Sequence, residues 1–133
     1  MHRTNLLIVT ALLELGTGLL LLLLPALPLA LLLGVTEGSP PETLVVARLA
    51  GVALLAIGVT CWLGRRDNLN PAQLGVLAGV LVYDVAVAGL LAYAGLFLNL
   101  AGVALWPAVV LHTALAVWCV FCFRHKLPEE AGR

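Results

Sequence analysis

Four long apolar runs, each interrupted by a single ionisable side chain, constrain this chain more than any other feature. Leu6 to Leu24 carries Glu14, Leu44 to Leu63 carries Arg48, Pro71 to Phe97 carries Asp84, and Trp106 to Phe123 carries His112. Each run approaches or exceeds the roughly 20 residues an α-helix needs to cross ~30 Å of hydrocarbon. Over the whole chain 62% of residues are hydrophobic and 11% charged, against about 45 to 50% and about 25% in soluble domains. A soluble domain of 133 residues is too small to hide that much apolar surface in a core, so the expected solvent is the bilayer. The formal net charge is zero, with no basic tail or acidic run, which argues against nucleic acid or a peripheral electrostatic anchor.

The expected fold is all-α: one domain over residues 1–133, an integral membrane four-helix bundle with helices at about 5–24, 40–64, 71–97 and 104–124. The first run exceeds the ~7 to 15 residues of a secretory signal core. It also contains Glu14 and is followed by Pro25-Ala26-Leu27-Pro28 instead of a small-x-small cleavage site, so it is expected to remain as the first helix. Pro28 to Gly34 stays apolar ahead of Thr36-Glu37-Gly38-Ser39, which predicts a short segment at the outer membrane surface, with a longer, tilted first helix as the alternative. Ser39-Pro40-Pro41-Glu42 reads as a capping box with Ser39 as N-cap, and Asn70-Pro71 repeats the start signal for the third helix. Arg124-His125-Lys126 and Pro128 stop the fourth.

Orientation follows from Lys and Arg. Arg3, Arg65, Arg66, Arg124, Lys126 and Arg133 fall on one side of the four-span arrangement and Arg48 nearer the other. The positive-inside rule then puts both termini in the cytoplasm. Trp62, Tyr93, Phe97 and Trp106 stand where interfacial aromatics belong. Glu14 and Asp84 are each followed within a few residues by Gly-Leu-Leu, the pattern of two hairpins in a parallel repeat.

Glu14, Arg48, Asp84 and His112 are the candidate site. A charge in the bilayer centre costs at least ~2.5 kcal/mol, so such groups face the helix interior and pair. At ~1.5 Å per residue, Glu14 and Asp84 come near the midplane, with Arg48 and His112 one or two turns below the outer surface. That depth predicts a buried polar cluster in which Arg48 bridges to Glu14 or Asp84, with His112 at its rim; the alternative is Arg48 snorkelling outward. Such a cluster serves either to fix helix register or to bind protons or a ligand.

Cys119-Val120-Phe121-Cys122 and Cys61 form a second candidate, a thiol pair for redox exchange, against the plainer reading of cysteine as small apolar filler. Gly75 and Gly79 make a GxxxG, expected to pack against another helix, as are Gly51 and Gly58. No catalytic motif, metal-ligand spacing or cofactor signature is read from the chain. Expected partners are the bilayer, a small lipophilic ligand, and a second copy or larger membrane complex.

Three resemblances to known families can be read from the chain. Leu24-Pro25 with Leu31-Leu32-Leu33-Gly34, then Arg48-Leu49-Ala50-Gly51, Leu54-Leu55, Gly58 and Arg65-Arg66, resemble the layout of small four-helix bacterial membrane families including DoxX-like proteins; this implies the bacterial inner membrane and no assigned catalysis. Ala11-Leu12-Leu13-Glu14-Leu15-Gly16-Thr17 resembles the first-helix motif of small multidrug resistance exporters, which implies a proton-coupled role for Glu14. The C-x-x-C of Cys119 and Cys122 resembles that of vitamin K epoxide reductase relatives, which implies thiol oxidoreductase chemistry.

Overall fold

The computed structural model describes residues 2–35, 38–66 and 71–124. They form five helices: α1 (His2–Leu23), α2 (Ala26–Leu33), α3 (Pro41–Gly64), α4 (Pro71–Phe97) and α5 (Leu105–Arg124), with no strand among the described residues. Four of them are long and apolar enough to cross a membrane, the make-up of a multi-pass membrane protein. At most 39% of any such span is buried inside the protein, so the larger share of each helix presents hydrocarbon outward, as a lipid solvent requires.

Proline and glycine set the boundaries. Pro25 stands as N-cap of α2, the short element that follows the first span, and Gly34, at φ 74°, ends it by donating its N–H to the Ala30 carbonyl at 2.9 Å. Glycine meets little steric cost in that left-handed conformation. The capping box expected at α3 is absent. Pro40 is the N-cap, at φ −53° and ψ 146°, without a side-chain cap bond, and Pro41 is the first helical residue. The reason is local: a residue preceding proline is pushed out of the helical region, so Pro41 excludes Pro40 from the helix and moves the start one residue past the Ser39 register. The Asn70 cap and Asp67, Asn68, His125, Lys126, Pro128 and Arg133 lie outside the described residues.

The helices pack as two antiparallel hairpins. In the first, α1 lies against α3 with backbones nearly touching: a Cβ at Gly51 would sit 2.7 Å from the Gly18 carbonyl oxygen, and one at Gly58 would sit 2.7 Å from Leu15 Cγ. In the second, α4 lies against α5, where the Cys119 thiol donates to the Leu77 carbonyl at 3.3 Å. Contact within each hairpin is extensive, whereas α1 with α5 and α3 with α4 meet only sparsely. Side chains bridge the rest: Arg3 to Gln73 at 3.0 Å and Tyr83 to Glu14 at 3.0 Å. These pairings run α1 parallel to α4, so Glu14 and Asp84 come level.

Within the chain, Gly75 and Gly79 do not make the expected close approach to another helix. No atom lies within 4 Å of a Cβ at either position; both instead line a groove of about 420 Å³ between α3 and α4, together with Ile57, Thr60, Cys61 and Val80. The close backbone approach belongs to Gly18, Gly51 and Gly58.

The ends differ in character. The basic end carries Arg3, Arg65, Arg66 and Arg124; there Gln73 accepts from Arg3 and donates to the Gly64 carbonyl at 3.1 Å, joining α1, α4 and α3. Arg65 stacks over the Trp62 ring at 3.7 Å and donates to its carbonyl. Just inside, Leu6, Leu7, Leu77, Leu115, Cys119 and Cys122 form a packed apolar core. At the opposite end, the Ala104 N–H donates to the Leu31 carbonyl at 2.8 Å, and the Gly102 Cα lies so close to Leu31 and Leu32 that no Cβ fits. This latch ties α2 to the turn before α5.

Candidate functional site

Three of the four expected residues meet in the interior. Asp84 has no exposed surface and Glu14 has 2%. His112 Nδ1 lies 2.8 Å from Asp84 Oδ1, and one proton fits between them, on either the imidazole or the carboxyl. Tyr83 joins the two acids into one group: its hydroxyl donates to Glu14 Oε2 at 3.0 Å, and its ring stands edge-on to His112, centroids 5.7 Å apart and planes at 80°. The order of contact is Glu14, Tyr83, His112, Asp84, drawn from α1, α4 and α5.

Arg48 is not among them. It is exposed, and its Nε donates to the Leu22 carbonyl at 3.3 Å. Leu22 is in the last turn of α1, where carbonyls lack partners within their own helix and a cation offsets the negative dipole end. The register explains the distance from the acids. With Gly18 against Gly51 and Leu15 against Gly58, the level of Glu14 is reached near Gly58, about 15 Å along α3 from Arg48 at ~1.5 Å per residue. Tyr83 takes the bridging place expected of Arg48.

Among the described residues, two interior polar side-chain atoms have no hydrogen-bond partner: Asp84 Oδ2 and Thr10 Oγ1. A threonine in a helix usually spends its hydroxyl on the carbonyl four residues back, and Thr60 and Thr113 do so, at 2.8 Å each. Thr10, one turn from Glu14 and with no exposed surface, does not. Buried polar groups are rarely left unpaired, and each such exception calls for an explanation. Around mid-span, the described interior therefore holds two carboxyls, one imidazole, a phenol and a hydroxyl, with unspent capacity on two atoms. Among the described residues, neither carboxyl is paired with a Lys or Arg nitrogen.

Cys61, Cys119 and Cys122 are buried and free. They lie in the apolar core near the basic end, and Cys119 is held by the Leu77 carbonyl. Among the described residues no group of three or more His, Cys, Asp or Glu is arranged to hold a metal ion.

Sequence reasoning passed over Tyr83 and Thr10. Tyr83 carried a readable signal: a phenol in mid-span, away from the interfaces where tyrosine is enriched, needs a partner for its hydroxyl, and the neighbouring acidic residue marks the inward face. Thr10 differs from Thr60 and Thr113 only through burial, which the sequence does not display. No family model, no curated protein and no solved structure matches this chain.

Proposed function

We propose that the protein is a non-catalytic four-helix bundle of the bacterial inner membrane, both termini cytoplasmic, that binds a small lipophilic ligand bearing a hydrogen-bonding head. The reading rests on one observation: the buried Glu14–Tyr83 and Asp84–His112 pairs leave Asp84 Oδ2 and Thr10 Oγ1 without partners. A group serving only to lock helix register gains most when every member is satisfied. Access from the side suits a ligand dissolved in the bilayer. The Arg3–Gln73–Gly64 network joins helices at one end, the α2 latch ties the other, and between them the α3–α4 seam is sparse, with an apolar groove along it. Orientation follows the concentration of Arg3, Arg65, Arg66 and Arg124 at one end.

Calorimetric titration of the protein in detergent with long-chain alcohols and amines of matched length tests the reading. Saturable binding that weakens in Asp84→Asn and Thr10→Val, with helicity and melting retained, supports it. Absence of binding, or equal binding by all variants, assigns the cluster to helix registration instead. A proton-coupled exporter built on Glu14 is the second reading, favoured by the burial of that carboxyl and its single Tyr83 donor; it requires pH-driven flux in liposomes that Glu14→Gln abolishes. Thiol exchange through Cys119 and Cys122 gains no support from three thiols enclosed in an apolar core.

A further inference from the structure

A groove of about 430 Å³, with neither Asp84 nor His112 in its lining, runs between α4 and α5. Leu81, Val85 and Ala88 line it from α4; Val117, Phe121 and Arg124 do so from α5. The one hydroxyl along it, that of Thr113, is spent on the Val109 carbonyl, so the walls offer hydrocarbon and nothing polar until Arg124. That arginine is exposed, lies at the basic end, and makes no hydrogen bond or ion pair to another described residue.

Length decides what fits. From Thr113 to Arg124 the α5 axis rises about 16 Å at ~1.5 Å per residue, close to half of the ~30 Å hydrocarbon thickness. A helix of a second copy would need a groove along the full span, whereas one acyl chain occupies one leaflet. Arg124 is the last residue of a candidate span, where such a chain would meet its headgroup, and a guanidinium matches the paired oxygens of a phosphate. We propose that the α4–α5 groove binds one anionic phospholipid of the leaflet at the basic end, its acyl chain along Val85, Val117 and Phe121 and its phosphate on Arg124. The site is separate from the Glu14–Asp84 cluster and does not depend on the ligand reading for it.

Native mass spectrometry of detergent-purified protein, incubated with dioleoyl phosphatidylglycerol, dioleoyl phosphatidylcholine or oleate, tests the assignment. The expected result is one phosphatidylglycerol per chain, retained about fivefold over phosphatidylcholine, the preference that ~1 kcal/mol from one arginine near a charged surface gives. Arg124→Gln removes the preference, and Val117→Trp, which fills the groove from a lipid-facing position, lowers retention of both lipids. Arg66→Gln, an exposed arginine at the same end but outside the groove, leaves the preference intact. Equal retention of the two phospholipids, equal loss in Arg66→Gln and Arg124→Gln, preferential capture of oleate, or a dimer that Val117→Trp dissociates would each overturn the proposal.

Discussion

Removing a single oxygen atom, in Tyr83→Phe, should loosen the two hairpins from one another. The hydroxyl donates to Glu14 Oε2 at 3.0 Å across the gap between α1 and α4, and Glu14 is 2% exposed, so water cannot replace the lost donor. Interhelical hydrogen bonds in membranes average about 0.6 kcal/mol and reach about 1.7, and leaving a buried acceptor without its donor costs roughly 1 to 3. A loss of about 1 to 2 kcal/mol is expected. Glu14→Met removes the acceptor at similar length and strands the phenol, and the double variant removes both partners, so the cycle should return a coupling of about 1 kcal/mol or more. SDS-driven unfolding in mixed micelles, followed by far-ultraviolet circular dichroism, supplies the free energies. A coupling within about 0.3 kcal/mol of zero, the ordinary error of additivity, would refute the pairing.

Three further outcomes follow from the same packing. Gly51→Ala should cost about 1 to 3 kcal/mol, the usual penalty of overpacking, because the new methyl meets the Gly18 carbonyl oxygen at 2.7 Å and the Leu22 nitrogen at 2.9 Å; Gly79→Ala, with open space around it, should gain up to ~1 kcal/mol from helix propensity, and the same unfolding assay separates them. Arg48→Gln should change stability by less than about 0.5 kcal/mol, as surface substitutions do, whereas Asp84→Leu, which strips His112 of its partner, should cost several times more; equal losses would return Arg48 to the interior. Cys61, Cys119 and Cys122, all at most 5% exposed, should resist maleimide in the folded protein and react once SDS has unfolded it, as mass shifts would record; rapid labelling of Cys119 before unfolding would contradict its enclosure.

The spans were legible because each is a long apolar run ended by proline or by charge, and those signals are local. What lay against what was not legible. A helix apolar on every side has no stripe to indicate its partner, so Arg48 was placed by depth alone, and depth is silent about register. The register is held in Gly18, Gly51 and Gly58, but in a chain with 13 glycines nothing marks those three apart from Gly75 and Gly79, which face open space. Of the interior group, Glu14, Asp84 and His112 stand out because ionisable residues are costly in hydrocarbon. Tyr83 and Thr10 are ordinary in composition, and only their position relative to other helices makes them part of it. Pro40–Pro41 misled in a smaller way: either proline suits the first turn, and the rule that decides between them acts on the preceding residue.

The uneven contact within and between the hairpins bears on how the chain is made. Each hairpin is a matched pair of spans, tight within itself and only lightly joined to the other, so the first can be released into the bilayer during synthesis before the second has left the ribosome. The joining contacts, Arg3 to Gln73 and Tyr83 to Glu14, connect residues some seventy positions apart, and they form only after α4 arrives. Until then Glu14 lacks its donor, and the young first half is the stage at which a quality-control protease would find an unsatisfied acid in the membrane.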